Sequence, residues 1–142
     1  LAMEIRDRVM AVGVPCNLIT GEERVLVPNA LHTASTIEMM NPSKEVEVAV
    51  IDEIQMLQDP DRGSAWTNAL VGAPAKQVFI CGSHAVTAPC VAAIESLGEG
   101  YQIHETKRLT PLVLEDESIC GKRYSKQKLK SKLQKGDAII AF

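Results

Sequence analysis

Residues 46–55 read Val46-Glu47-Val48-Ala49-Val50-Ile51-Asp52-Glu53-Ile54-Gln55, an apolar run broken only by Glu47 that ends abruptly in two carboxylates and an amide. A buried parallel strand looks like this when it delivers acids to the carboxyl edge of an α/β sheet, and ligands of such sheets bind just beyond those strand ends. Adjacent acids suit Mg-nucleotide chemistry: the first can hold the metal, and the second can accept a proton from the attacking water. The competing reading is a strand followed by a solvated acidic turn.

For the acids to sit at a sheet edge, the surrounding segments must alternate strand and helix. Leu1, Ile5, Val9 and Val12 share a helical face opposite Arg6, Asp7 and Arg8, with Gly13 as a stop, so a helix is predicted over residues 1–12. Residues 15–20 read as a short strand, Thr20-Gly21-Glu22-Glu23-Arg24 as the turn after it, and residues 25–27 as a segment that pairs locally. A strand over residues 34–39, broken by Asn41-Pro42-Ser43, would place Thr36 and Glu38 on one of its faces. After the strand at 46–51 come a helix over 61–71, framed by Asp59-Pro60 and Gly72, and a buried strand over 77–81 ending at Gly82-Ser83-His84. A helix over 85–97 closed by Gly98 and a strand over 101–104 follow. This alternation predicts an α/β fold with a mainly parallel sheet layered with helices and right-handed crossovers. From Glu105 to Lys135 the rhythm lapses into a linker and a polar helix. Gly136-Asp137 then introduces an apolar strand, read as the opening of a second α/β domain.

A chain of 142 residues suits one domain with its own core, and 46% hydrophobic against 23% charged residues is the balance of a folded protein, not a disordered one. The net charge of −3 argues against a generally basic nucleic-acid binder but leaves room for a local groove. Residues 122–135 carry seven Lys or Arg and no acid, and read as a solvated helix face or linker. Cys16, Cys81, Cys90 and Cys120 form no C-x-x-C pair, which argues against structural zinc; the apolar settings of Cys81 and Cys90 read as small buried hydrophobes. Trp66 reads as a packing residue in preference to a base-stacking platform. His32 reads as an exposed loop residue before a strand, and His84 as a cap for the following helix. No apolar run is long enough to cross a membrane and no secretory signal pattern occurs. With helical periodicity starting at Leu1 and an apolar run still open at Phe142, the chain is expected to be a piece of a longer protein.

Five stretches in order carry a more specific signal. Gly13-Val14-Pro15-Cys16 runs into Leu18-Ile19-Thr20-Gly21-Glu22-Glu23-Arg24, and Thr36-Ile37-Glu38-Met39 follows. Asp52-Glu53-Ile54-Gln55 is succeeded by Met56, Asp59, Arg62-Gly63 and Ala65-Trp66-Thr67. Lys107-Arg108-Leu109-Thr110-Pro111 and Gly136-Asp137-Ala138-Ile139-Ile140-Ala141-Phe142 complete the set. Together they resemble the Suv-three-type RNA helicases of superfamily two, known from the mitochondrial RNA degradosome and from bacterial relatives. The resemblance implies a RecA-like, partial P-loop NTPase domain over residues 1–105, an interdomain linker and polar helix over 106–135, and the first strand of a second RecA-like domain over 136–142. It implies ATP and Mg²⁺ as cofactors, with Asp52 on Mg²⁺ and Glu53 orienting and deprotonating the hydrolytic water; both acids would be nucleotide-binding. Gln55 would sense the γ-phosphate and relay its state to the RNA side. Thr20, Gly21, Arg24 and Thr36 would hold the RNA backbone, single-stranded or duplex. An intracellular setting (bacterial cytoplasm or mitochondrial matrix) and an exoribonuclease partner are implied as well, and no membrane association.

Three departures bear on this. Cys81-Gly82-Ser83 stands where the family usually has Cys-Gly-Glu, which puts the coupling role of that segment in question. Gly63-Ser64-Ala65-Trp66 has one aromatic fewer than the family's Gly-Trp-Ala-Trp. No G-x-x-x-x-G-K-[ST] phosphate loop occurs in these 142 residues. The 142 residues alone are therefore expected to be catalytically inactive, lacking the cradle for the β- and γ-phosphates. The alternative in a different class is a helicase-like module without ATPase activity that binds RNA or a partner.

Overall fold

The computed structural model describes residues 1–107. The chain divides at Ile103, and residues Leu1–Ile103 form one compact unit. All but the first residues of the expected 106–135 linker and polar helix, the basic stretch at 122–135, Cys120 and the strand at 136–142 lie outside the described residues.

Helix α1 (Ala2–Ala11) is followed by β1 (Cys16–Ile19), β2 (Arg24–Val25), β3 (His32–Ser35), β4 (Val46–Ile51), α2 (Gly63–Gly72), β5 (Ala75–Ile80) and α3 (Thr87–Ser96). Single 3-10 turns lie at Ile37–Met39, Ile54–Gln58 and His84–Val86. The strands form a three-stranded sheet in the order β2-β1-β3 and a two-stranded sheet β4-β5. β1 pairs parallel with β3 and antiparallel with the short β2, and β4 pairs parallel with β5 with Ile51 opposite Ile80. The fold is thus mixed α/β with two parallel pairs, in separate sheets among the described residues.

The core gathers beneath β4 and β5. Ile51, Ile54, Trp66, Ala69, Val86 and Cys90 are buried together, with Ile37, Met40, Val78 and Ile80 packed against them. Strand side chains alternate between faces. Val78 and Ile80 therefore point inward, whereas Val48, Val50 and Phe79 lie exposed on the opposite face. The same parity overturns one expectation: Cys81, one residue past Ile80, is exposed, while Cys90 and Cys16 are buried. Burial raises the Cys90 thiol pKa by desolvation.

Two other expectations are corrected. The strand expected over 34–39 runs instead over His32–Ser35, with the exposed His32 as its first residue, and residues Ile37–Met39 form a 3-10 turn. Ile37 and Met40 both pack on the core, and residues three apart fall on opposite faces of a strand but on one side of a 3-10 helix. Thr36 and Glu38 consequently share no strand face. Residues 101–104 form no strand; Tyr101 instead donates its hydroxyl to Glu95 at 3.0 Å, which raises the tyrosine pKa. α3 also starts later than expected, because the 3-10 turn His84–Val86 precedes it.

Candidate functional site

Asp52 follows the last residue of β4, and the parallel register sets Cys81-Gly82-Ser83 beside it at the end of β5. The Cys81 N–H donates to the Ile51 carbonyl at 2.9 Å, and the Ile54 N–H donates to the Cys81 carbonyl at 3.0 Å. The sheet thus brings together Asp52, Glu53 and Gln55 with the segment after β5. Asp52 is half-buried and Glu53 exposed. Glu53 adopts φ 55 and ψ 42, a left-handed conformation uncommon outside glycine and asparagine.

Gln55 holds this acidic turn to β5. Its amide nitrogen donates to Glu53 Oε2, and its carbonyl oxygen accepts the Ser83 N–H at 3.0 Å. The contact on the β5 side uses backbone, so the serine at position 83 does not weaken it. Gly82 makes the approach possible, because a Cβ built there would lie 2.5 Å from Gln55 Oε1 and 2.9 Å from the Ile54 nitrogen. The Ser83 hydroxyl accepts from the Ala85 N–H at 3.3 Å and so starts the 3-10 turn, with the His84 ring against the Thr87 hydroxyl.

Thr20, Gly21, Arg24 and Thr36 meet at the corresponding edge of the other sheet. Ile19 and Ser35 are register partners, and the Thr36 N–H extends their ladder by donating to the Ile19 carbonyl at 3.1 Å. The Thr20 hydroxyl accepts from the Glu23 N–H at 2.9 Å and closes the turn that carries Gly21. Arg24 is exposed opposite Ile19. The ion pairs among the described residues are Arg6–Asp7, Arg8–Glu4, Arg62–Glu38 and Lys76–Glu47, so Arg24 is not spent on Glu22 or Glu23.

Sequence reasoning missed the groups that join the two edges. Trp66, 7% exposed, donates its indole N–H to the Asp52 carbonyl at 2.9 Å. Arg62 lies over the same ring, 5.3 Å from its centroid, and donates through Nε and Nη2 to Glu38 Oε1 at 3.1 and 2.6 Å. That guanidinium is the main reason the Glu38 carboxyl sits below the usual carboxylate range, and the Thr36 hydroxyl adds to the shift. Asp59 fixes Arg62 in turn, accepting from its N–H at 2.8 Å just before α2. A Trp one helical turn after an Arg was the available signal, since residues i and i+4 share a helix face.

Residues 1–106 match the DEXQ-box helicase domain of Suv3. The whole chain aligns with the mitochondrial ATP-dependent RNA helicase SUV3L of Oryza sativa subsp. japonica, 42% identical over 142 residues and covering 18% of that protein. It is likewise 42% identical to the mitochondrial ATP-dependent RNA helicases SUPV3L1 of Danio rerio and Homo sapiens, over 147 and 146 residues, again all of this chain and 18% of each relative. The chain therefore spans about a fifth of the length of the relatives it matches, and with three quarters of its residues inside the matched domain it belongs to the Suv3 DEXQ-box helicase family.

Proposed function

We propose that this chain is the acid-bearing part of the first RecA-like domain of an ATP-driven RNA helicase. The observation that carries the reading is Gln55, which joins the acid Glu53 to the end of the neighbouring parallel strand at Ser83. Such a bridge suits an acid pair whose position must answer to events elsewhere in the domain; a merely solvated turn has no need of it. The exposed Val48, Val50 and Phe79 suit cover by the remainder of that domain, since parallel sheets are buried on both faces. The relatives' names state ATP dependence, RNA and mitochondria, and we extend all three to the whole protein, with the mitochondrial matrix as its compartment.

The acids fit Mg²⁺ held jointly with a nucleotide. Among the described residues no group of three or more His, Cys, Asp or Glu side chains could hold a metal alone. Mg²⁺ commonly takes one or two carboxylates and completes its shell with water and substrate phosphates. Asp52 would hold the ion, which when bound neutralises charge on the phosphates. Glu53 would orient the attacking water and take its proton, and Gln55 would keep Glu53 in place. Thr20, Gly21, Arg24 and Thr36 would hold the RNA backbone through hydroxyls, backbone N–H groups and charge.

Two measurements test the reading. Because the acids come without the phosphate cradle, the 142-residue piece should bind Mg-ATP weakly and hydrolyse none; sub-micromolar affinity by isothermal titration would overturn the account. In the full-length protein, Arg24→Ala should leave the melting temperature unchanged and weaken RNA binding for all sequences alike. The slope of log affinity against log salt should drop by about one counterion. Identical affinities and slopes across the salt series would reduce Arg24 to a surface turn residue.

A further inference from the structure

The peptide joining Asp52 to Glu53 is held at both ends. Its carbonyl accepts the Trp66 indole N–H at 2.9 Å, and its N–H donates to Asp52 Oδ1 at 2.9 Å. A peptide unit is planar, so the two bonds turn together: tilting the plane moves the carboxylate with it. Glu53, next in the chain, keeps a left-handed conformation that persists only where the surroundings over-determine it. Trp66 is one such constraint. It is packed among Ile51, Ile54 and Ala69.

The other side of the indole leads to the opposite edge. Arg62 lies over the ring and grips Glu38, which sits two residues after Thr36 in the turn Ile37–Met39. Thr36 opens that turn, its carbonyl accepting the Met39 N–H at 3.0 Å, so Glu38 is carried on the same short ring of backbone. A phosphate that draws Thr36 toward itself would turn Glu38 against Arg62.

We propose that Glu38, Arg62 and Trp66 are positioning residues that tie the nucleic-acid edge at Thr36 to the Asp52–Glu53 peptide, so that a backbone phosphate taken up at Thr36 resets the Asp52 carboxylate. This rests on reading Asp52 as the metal-holding acid and Thr36 as an RNA contact. It adds a path between them that runs beneath the site through Trp66, separate from the Gln55 bridge.

The test uses the full-length protein with a non-hydrolysable ATP analogue, and reads Mn²⁺ affinity by electron paramagnetic resonance with and without oligouridylate. In the wild type, oligouridylate should strengthen Mn²⁺ binding. Trp66→Phe keeps the ring under Arg62 but removes the donor; Mn²⁺ affinity should fall about tenfold, the scale seen when a partner of a metal ligand is lost, and the oligouridylate effect should disappear. Glu38→Gln should diminish that effect, and the double variant should be no worse than Trp66→Phe, because the two act in series. An oligouridylate effect that survives Trp66→Phe, additive losses, or no effect in the wild type would overturn the proposal. So would a lowered melting temperature with unchanged Mn²⁺ affinity, the signature of packing alone. Asp52→Asn run alongside separates the premise: if it leaves Mn²⁺ affinity unchanged, the assignment of Asp52 fails and the proposal falls with it.

Discussion

Glu53→Gln in the full-length protein should lower ATP turnover by about 10² to 10⁴, the range expected when a general base is removed. That is about 3–5 kcal/mol of barrier. The variant keeps nearly everything else. Glutamine has the same length, its side-chain oxygen still accepts from the Gln55 amide, and Asp52 with its hydrogen bonds to the Glu53 N–H and the Trp66 indole is untouched. The left-handed backbone at position 53 holds either residue at similar cost, because the strain arises at Cβ and not at the carboxylate. Nucleotide affinity should therefore survive while turnover collapses. Steady-state hydrolysis beside equilibrium nucleotide binding makes the measurement, and a Gln variant that unwinds RNA at the wild-type rate would mean that Glu53 is not the base.

What the sequence made legible followed the periodicity of its elements. The apolar run before Asp52 became β4, and the Leu1, Ile5, Val9 pattern became α1. Asp52, Glu53 and Gln55 came out clustered because three residues at one strand end have little freedom to separate. Thr20 and Thr36 were brought together by strand pairing, which fifteen residues of intervening chain do not reveal by spacing. Three features escaped, two of them because tertiary contacts override local pattern. Ile37–Met39 left the strand because Ile37 and Met40 both find the core. Cys81 faces outward through strand parity, although its neighbours are apolar. Glu38 gains its partner only where the start of α2 places Arg62 against it, twenty-four residues further along the chain. This exposed pair is worth under about 1 kcal/mol by itself, so its interest lies in what it connects.

Gly82→Ala should lower turnover about 100-fold, the scale expected when catalytic groups are displaced by about an ångström. The added Cβ would lie 2.8 Å from Ile54 Cγ2 and 2.5 Å from Gln55 Oε1. Ile54 is buried and its N–H is held by the Cys81 carbonyl, so it cannot withdraw. Gln55 is the flexible side chain, and it swings away. In doing so it abandons the Ser83 N–H and releases Glu53 from the neighbouring strand. Overpacking against Ile54 should also reduce stability by about 1–3 kcal/mol. The two consequences separate in a mutant cycle. Gln55→Ala removes the bridge without crowding Ile54, so it should show the turnover loss with little loss of stability. The double variant should turn over like Gln55→Ala alone while keeping the stability loss that Ile54 imposes. Turnover losses that simply add, or a Gly82→Ala protein as active as the wild type, would show that the close approach of Gln55 to β5 has no part in positioning Glu53. A loss shared with Gln55→Ala would assign that role to the amide bridge, and would explain why position 82 has no room for a side chain.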